Sequence, residues 1–217
     1  CNKSNTLNEL NKRGFNLRKL SNLARMGSGS ACRSFWGGFV SWNKTDSAST
    51  QYAMQVKDHE HWNLEHLVII VSKDEKKFSS SMGHKACWKS PLFQPRLAII
   101  NKRYNDLQEA IKKRDLENFG KIIELDCLEM HAIAMSSSPA IFYFGEKTAN
   151  LLAWIRETRQ KHNIKTFFSL DAGPNVHVLG TQSHLEILRE KLKNEFPQYQ
   201  IIKSKVGQGP SLKVYKQ

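Results

Sequence analysis

The chain has 217 residues, of which 40% are apolar and 24% charged, and its formal net charge is +13. These values are typical of a globular protein of one or two domains, and no apolar run approaches the roughly 20 residues of a membrane-spanning helix. The four cysteines include no Cys-x-x-Cys pair, which argues against a cysteine-ligated zinc site and a disulfide scaffold, so we expect reduced thiols in a cytoplasmic protein.

The positive charge is concentrated near the start of the chain. The first 33 residues contain one acid, Glu9, against seven basic residues: Lys3, Lys12, Arg13, Arg18, Lys19, Arg25 and Arg33. Such a balance is compatible with a nucleic-acid-binding module or with an enzyme that collects highly anionic small molecules. Later basic residues alternate with acids at helical spacing, which indicates solvated helix faces. The charge alone leaves both functions open.

The first part of the chain predicts a helix, a turn and a strand. Apolar residues at a spacing near 3.6 predict a helix over residues 17–26 that ends at Gly27. A Gly-Ser loop over residues 27–30 leads into a short second helical turn, and the alternation of residues 39–42 predicts a strand. Residues 43–50 are polar and rich in turn formers, so we expect them to form a loop between two lobes.

The rest of the chain mixes helices and strands. Apolar runs predict strands over residues 67–71, 166–170, 176–179 and 199–205. Helical spacing predicts helices over residues 79–88, 96–114, 116–134, 148–162 and 184–196. This order predicts an α+β sandwich with a mostly antiparallel sheet.

A short stretch that could bind an anion follows the first helix. Gly27 to Arg33 reads GSGSACR and offers serine hydroxyls, glycine-freed backbone amides and one guanidinium. A following helical turn would add its N-terminal dipole, and Arg33 could pair with a phosphate or carboxylate in bidentate fashion. The stretch matches neither the P-loop nor the GxGxxG pattern, and a plain Gly-Ser loop is the alternative.

One carboxylate has a setting that suits a catalytic base. Asp171 lies in the sequence LDAGPN between two predicted strands. It could cap a turn, or it could be a general base held on a rigid hairpin, and spacing leaves both open.

Several other tempting residues have simpler explanations. We expect His131 to be a packed helix residue and Cys32 a buried thiol. The pair His59 and His61 has no third ligand at metal spacing, so no metal site is predicted. Aromatic residues near the first strand are expected to form core, not a base-stacking platform: Trp36, Phe39 and Trp42.

The combination of motifs identifies a family. Residues 27–42, GSGSACRSFWGGFVSW, resemble the signature stretch of the diphosphomevalonate decarboxylases. That family belongs to the superfamily of galactokinase, homoserine kinase, mevalonate kinase and phosphomevalonate kinase. Further segments resemble it in the same order: MQVKD (54–58) with Trp62, VIIVS (68–72), KFSSSMG (77–83), PAIFY (139–143), FSLDAGPN (168–175) and VGQGP (206–210). The resemblance covers nearly the whole chain from about residue 17.

The resemblance implies a fold, a reaction and partners. The fold would be the two-lobe α+β fold of these small-molecule kinases, with residues 1–50 the end of the N-terminal lobe and residues 51–217 the complete C-terminal lobe. The reaction would be the ATP- and Mg²⁺-dependent decarboxylation of mevalonate 5-diphosphate to isopentenyl diphosphate. The resemblance also implies a cytoplasmic homodimer with no nucleic-acid or membrane partner.

The resemblance further assigns roles to particular residues. Asp171 would take the proton of the 3-hydroxyl as that oxygen attacks the γ-phosphate, and Arg33 would hold the substrate carboxylate. The substrate diphosphate would be cradled by Ser28, Gly29, Ser30, Ala31, Cys32 and Arg33, with Ser80 and Ser81 contributing. Ser81 stands where some relatives have threonine or arginine, and His84 replaces a methionine.

Two features of the family do not occur among these 217 residues: a Lys-Tyr-Trp-Gly stretch and a glycine- and serine-rich loop that holds ATP. We therefore expect this chain alone to lack activity. Two rival functions remain: a related kinase that does not decarboxylate, which the presence of both Arg33 and Asp171 argues against, and a basic nucleic-acid-binding module.

Overall fold

A computed structural model describes residues 14–42, 50–73 and 78–211. The chain divides into two compact units, one formed by Leu64–Lys205 and the other by Cys1–Asn63 together with Val206–Gln217. The domain boundary predicted between residues 50 and 51 stays a prediction. The architecture is mixed α and β, as the sequence predicts.

Among its described residues, the first unit includes a helix, a 3₁₀ turn and a two-stranded sheet. Helix α1 spans Leu17–Gly27 and begins at Asn16, whose side chain accepts a hydrogen bond from the Lys19 amide. The 3₁₀ turn Gly29–Phe35 follows, which confirms the predicted helix and turn. Strand β1 (Phe39–Trp42) pairs antiparallel with β2 (Ala53–Lys57), a strand that the sequence analysis did not predict. The predicted interlobe loop lies outside the described residues except for Thr50.

The second unit contains a four-stranded sheet in which every pairing is antiparallel. Its strands are β3 (Glu65–Ile70), β4 (Thr166–Leu170), β5 (Val176–Gly180) and β6 (Gln200–Lys205), and their spatial order is β4-β5-β3-β6. The predicted antiparallel sheet is confirmed. Strand β4 lies at one edge of the sheet. The backbone amides and carbonyls on its outer side therefore need hydrogen-bond partners other than a neighbouring strand.

Over residues 64–73 and 78–205 this sheet is accompanied by five helices: α2 (Ser80–Ala86), α3 (Phe93–Lys113), α4 (Leu116–Met135), α5 (Glu146–His162) and α6 (Gln182–Glu195). Each was predicted, with ends that differ by a few residues. Helix α2 stops earlier than expected because Cys87–Lys89 forms a 3₁₀ turn. Helix α3 begins three residues earlier, with Pro95 in its first turn, where a missing amide hydrogen costs no helical hydrogen bond.

The main core lies between one face of the sheet and helices α4, α5 and α6. Alternate residues of β3 and β5 face it, as the two-residue period of a strand requires. Its fully buried members include Leu67, Ile69, Phe168, Val176, Val178, Leu151, Ile155, Leu185, Leu188 and Leu192. No helix in the described parts of the chain is long and apolar enough to cross a membrane.

Candidate functional site

The predicted anion-binding stretch is an exposed corner of the first unit. Ser28 is the single extended residue between α1 and the 3₁₀ turn. The hydroxyls of Ser28 and Ser30 lie 3.2 Å apart, and both residues are exposed. Arg33 is also exposed, and within the described part of its unit its guanidinium has no hydrogen-bond or ion-pair partner. Two hydroxyls and one cation are therefore open to solvent and able to bind an anion.

Buried groups hold the backbone of this exposed stretch in place. The Ser21 hydroxyl donates to the Cys32 carbonyl at 2.9 Å and accepts from the Ala53 amide at 2.9 Å, which ties α1, the turn and β2 together. Cys32 is completely buried, its thiol donates to the Gly29 carbonyl at 3.0 Å, and burial raises the pKa of that thiol despite nearby arginines. The buried thiol predicted for Cys32 is confirmed. Cys32 therefore contributes its main chain to this stretch, and its thiol is not a reactive thiolate. A Cβ on Gly29 would lie 3.3 Å from the Trp42 ring.

The three aromatic residues predicted to form core are less buried than expected: Trp36 and Phe39 are half-buried, and Trp42 is exposed. Phe39 stacks on Trp62 at 6.1 Å between ring centroids, and Trp36 is half-buried. Trp42, which was predicted to be core, is 38% exposed. Strand alternation explains the difference, because Ser41 takes the buried position and Trp42 the outward one.

Asp171 is the first residue after β4 in the second unit, and it is exposed. Its carboxylate receives no hydrogen bond from any described residue of this unit, so the structure gives no support to the turn-capping alternative. The main chain of Asp171, in contrast, has a hydrogen-bond partner, because the Gly173 amide donates to the Asp171 carbonyl at 2.8 Å. An exposed carboxylate thus lies on a turn that a backbone hydrogen bond closes.

The loop after Asp171 is tied down at two further points. The Asn175 side-chain oxygen accepts hydrogen bonds from the amides of Val71 (3.0 Å) and Ser72 (3.3 Å) at the end of β3. The hydroxyl of Thr148, which is 1% exposed on α5, donates to the Pro174 carbonyl at 2.8 Å. These contacts anchor the AGPN turn to the end of β3 and to α5. The sequence analysis missed Thr148, because nothing in the helical pattern of α5 indicates a contact with a loop more than twenty residues away.

Ser80 and Ser81 form the first two residues of α2, and both are exposed. The helix begins at Ser79, whose hydroxyl accepts from the Met82 amide at 3.2 Å. One turn later, a Cβ on Gly83 would lie only 1.8 Å from the Tyr143 hydroxyl oxygen, so glycine is needed for α2 to pack against Tyr143. Burial raises the pKa of Tyr143, which favours the neutral phenol.

The predicted residues therefore fall into two groups. The first unit holds Ser28, Gly29, Ser30, Ala31, Cys32 and Arg33, whereas the second holds Ser80, Ser81 and Asp171.

His131 is 2% exposed on α4, which confirms that it is a packed helix residue. Within residues 14–42, 50–73 and 78–211, no group of three or more His, Cys, Asp or Glu side chains could hold a metal ion.

Two family models match nearly the whole chain. Residues 66–214 match the mevalonate 5-diphosphate decarboxylase C-terminal domain, and residues 4–53 match the diphosphomevalonate decarboxylase-like N-terminal domain. A curated relative, the diphosphomevalonate decarboxylase of Ganoderma lucidum, is 34% identical over 198 residues, which cover 87% of this chain and 50% of the relative. The chain thus spans about half the length of the curated relatives that it matches.

Solved structures give the same result. A structure described as MDDEF in complex with MVAPP, AMPPCP and magnesium is 36% identical, with a TM-score of 0.86, and the match covers 91% of this chain and 61% of that one. A second structure concerns mevalonate diphosphate-mediated ATP binding by the mevalonate diphosphate decarboxylase from Enterococcus faecalis. It is 35% identical, with a TM-score of 0.82 and coverage of 91% and 60%.

Proposed function

Because this chain belongs to the diphosphomevalonate decarboxylase family, we propose that it takes part in the ATP-dependent decarboxylation of mevalonate 5-diphosphate to isopentenyl diphosphate. The observation that carries the proposal is the setting of Asp171, an exposed carboxylate on a turn that Thr148 and Asn175 hold in place. A general base needs a free carboxylate at a fixed position, and Asp171 meets both conditions.

In the proposed reaction Asp171 is the general base. Its carboxylate accepts the proton of the tertiary 3-hydroxyl while that oxygen attacks the γ-phosphorus of ATP, and ADP leaves. The new phosphate ester then departs as inorganic phosphate with its bonding electrons, and positive charge develops on the tertiary carbon. The bond from the neighbouring carbon to the carboxylate breaks, its electrons form the alkene, and CO₂ is released.

The remaining predicted residues would bind the anionic parts of the substrate. Arg33 is assigned to the substrate carboxylate, because its exposed guanidinium can form a bidentate ion pair. The exposed hydroxyls of Ser28 and Ser30, together with the backbone of Gly29, Ala31 and Cys32, are assigned to the diphosphate. Ser80 and Ser81 are assigned to the same substrate from α2. Hydroxyls and a single cation are suitable donors for a diphosphate.

ATP and Mg²⁺ are the proposed co-substrate and metal. When bound, the metal would neutralise the charge of the phosphates during transfer. The described residues offer no cluster of acidic side chains for it, so we assign no residue of this chain to Mg²⁺ and derive no step through it. A homodimer in the cytoplasm is likewise proposed from the family resemblance, and light scattering of the purified protein would test the dimer.

The proposal is tested on the natural protein in its full length. Incubation with ATP, Mg²⁺ and mevalonate 5-diphosphate labelled in the carboxylate should release labelled CO₂, ADP and phosphate in equal amounts. Formation of ADP with a phosphorylated product and no CO₂ would indicate the related kinase instead. Salt-sensitive retention on DNA or RNA, with no turnover of the diphosphate, would favour the nucleic-acid-binding module.

A further inference from the structure

The main chain on either side of Asp171 is held by one buried side chain from each of two helices. Before Asp171, the Leu170 amide donates to the thiol sulfur of Cys127 at 3.1 Å, and that thiol donates to the Leu170 carbonyl at 3.8 Å. After Asp171, the Thr148 hydroxyl donates to the Pro174 carbonyl at 2.8 Å. Cys127 on α4 is 4% exposed, and Thr148 on α5 is 1% exposed. The proposed base therefore lies between two anchors that are nearly inaccessible to solvent.

Cys127 takes the place beside Leu170 that a neighbouring strand would fill. Among the described strands, β4 is at the end of the spatial order, so the outward amides and carbonyls of its alternate residues need other partners. The Phe168 amide donates to Glu124 Oε1 at 3.0 Å, and two residues later both main-chain groups of Leu170 bond to the one thiol. Burial raises the pKa of the Cys127 thiol, which therefore keeps its proton and can donate as well as accept.

These contacts fix the two peptide groups that carry Asp171. A peptide group is planar, so an anchored Leu170 carbonyl also sets the direction of the Asp171 amide, which lies in the same plane. On the other side, the Gly173 amide donates to the Asp171 carbonyl at 2.8 Å, and the hydrogen bond from Thr148 to Pro174 holds the far end of that turn. Because both planes are held, the torsions left to the Asp171 carboxylate are those of its own side chain.

We propose that Cys127 and Thr148 are positioning residues for Asp171: together they fix the main chain of residues 170–174 and so decide where the Asp171 carboxylate lies. The inference rests on the proposed function of Asp171 as the base. Displacement of a reacting group by about 1 Å can cost about 100-fold in rate, so loss of either anchor would slow the chemical step while the substrate still binds. Side chains that serve only as packing would affect stability and leave the kcat of the folded enzyme unchanged.

The Thr148 anchor is tested by three variants of the natural protein in its full length. Thr148→Val keeps the shape of the side chain but removes the donor, and Thr148→Ser keeps the donor. Thr158→Val is the matched control, because it makes the same change at a second buried threonine of α5. We expect Thr148→Val to lower kcat by about 10-fold with little change in KM. Thr148→Ser should keep most of the activity, and Thr158→Val should match the wild type. A wild-type kcat in folded Thr148→Val, or an equal loss in Thr158→Val, would overturn the inference.

The Cys127 anchor is tested by amide exchange together with the rate. Cys127→Ala removes the thiol, and Cys127→Ser keeps a shorter group that can still donate and accept. In Cys127→Ala the Leu170 amide should exchange about 10-fold faster by NMR, whereas the Phe168 amide, which Glu124 holds, is an internal control and should stay protected. The kcat of Cys127→Ala should fall by about 10-fold with little change in KM, and Cys127→Ser should recover part of it. Unchanged exchange at Leu170, or faster exchange with a wild-type kcat, would contradict the inference.

A double-mutant cycle separates positioning from general damage. If Thr148 acts through the carboxylate, Thr148→Val should change kcat less than about 2-fold in an Asp171→Asn background, because the base is already absent. An equal loss in both backgrounds would refute the inference. A wild-type protein that releases no CO₂ would refute the proposed function instead, and with it the role of Asp171 on which the inference rests.

Discussion

Gly120 lies in the interior of α4, where helix propensity favours alanine over glycine by about 1 kcal/mol. The structure predicts the opposite sign for Gly120→Ala. An added Cβ would lie 2.0, 2.1 and 2.3 Å from three ring carbons of Phe167, whereas carbon atoms in contact are normally about 3.5–4.0 Å apart. The Phe167 ring is 3% exposed, and the Arg159 guanidinium lies 4.9 Å from its centre, so the ring has little room to move. Helix α4 must therefore shift away from β4.

Overpacking of this kind costs about 1–3 kcal/mol, and the deep overlap places Gly120→Ala at the upper end. After the gain in propensity, we expect a net loss of about 2 kcal/mol, which corresponds to a fall in Tm of about 4–8 °C for a domain of roughly 150–250 residues. Thermal and denaturant unfolding of the natural full-length protein would measure both. Gly27→Ala is the matched control, because nothing lies within 4 Å of its added Cβ in α1 and its stability should be unchanged or slightly higher. A Gly120→Ala protein as stable as the wild type would refute the close packing of α4 on β4.

The remaining predictions concern the candidate site and the sheet. Arg33→Gln should lower kcat more than it raises KM, at a cost of about 2–4 kcal/mol of transition-state stabilisation. Arg18→Gln is the control: it removes a cation stacked on the Tyr52 ring and should have little effect on turnover. Asp171→Asn should still bind mevalonate 5-diphosphate, with phosphoryl transfer and CO₂ release both reduced by about 10²- to 10⁴-fold; normal phosphorylation with failure only of CO₂ loss would disprove its role as base. Burial and the neighbouring His177 lower the pKa of His66 to about 4 in the folded protein. Protonation of His66 therefore favours the unfolded state. The stability that neutral His66 contributes above pH 6.5 is lost as the pH falls towards 4. Unfolding curves at pH 7 and pH 4.5 should show a smaller loss for His66→Gln than for the wild type, and equal losses would refute this contribution.

The helices and strands of the second unit could be predicted because their signals are local. Strands β4 and β5 follow from short apolar runs on either side of a Gly-Pro turn, and helices α3 to α6 follow from apolar residues at a spacing near 3.6. The ends of these elements could not be predicted to the residue. At α3, for example, Pro95 reads as a helix breaker from sequence, yet it lies in a first turn that tolerates it.

Strand β2 was missed for a different reason. Residues Ala53–Lys57 include one fully buried side chain, Ala53, and the strand gains its hydrogen bonds from β1 across an intervening polar segment. Such a strand depends on a partner, and its own sequence carries no strong alternation. The candidate site was found in part from residue chemistry and in larger part from resemblance. Spacing alone left the role of Asp171 open. The structure adds that its side chain is exposed and that no described residue of its unit donates a hydrogen bond to the carboxylate.

The position of Asp171 after an edge strand also explains which residues a single sequence cannot reveal. An edge strand needs partners for its outward amides and carbonyls. Here the partners of two amides lie 43 and 44 positions earlier in the chain, on a helix whose own pattern indicates only amphipathic packing. Glu124 and Cys127 would be read from sequence as a surface acid and a core thiol. Only the pairing order of the sheet, with β4 at its edge, shows that both are needed to hold the backbone that leads to Asp171. We therefore expect Cys127→Ala, which removes the thiol bonded to Leu170 next to Asp171, to lower kcat more than Glu124→Gln does. Glu124→Gln, which weakens the ion pair with Arg159, should lower Tm more, and measurements of kcat and Tm on both variants would test this.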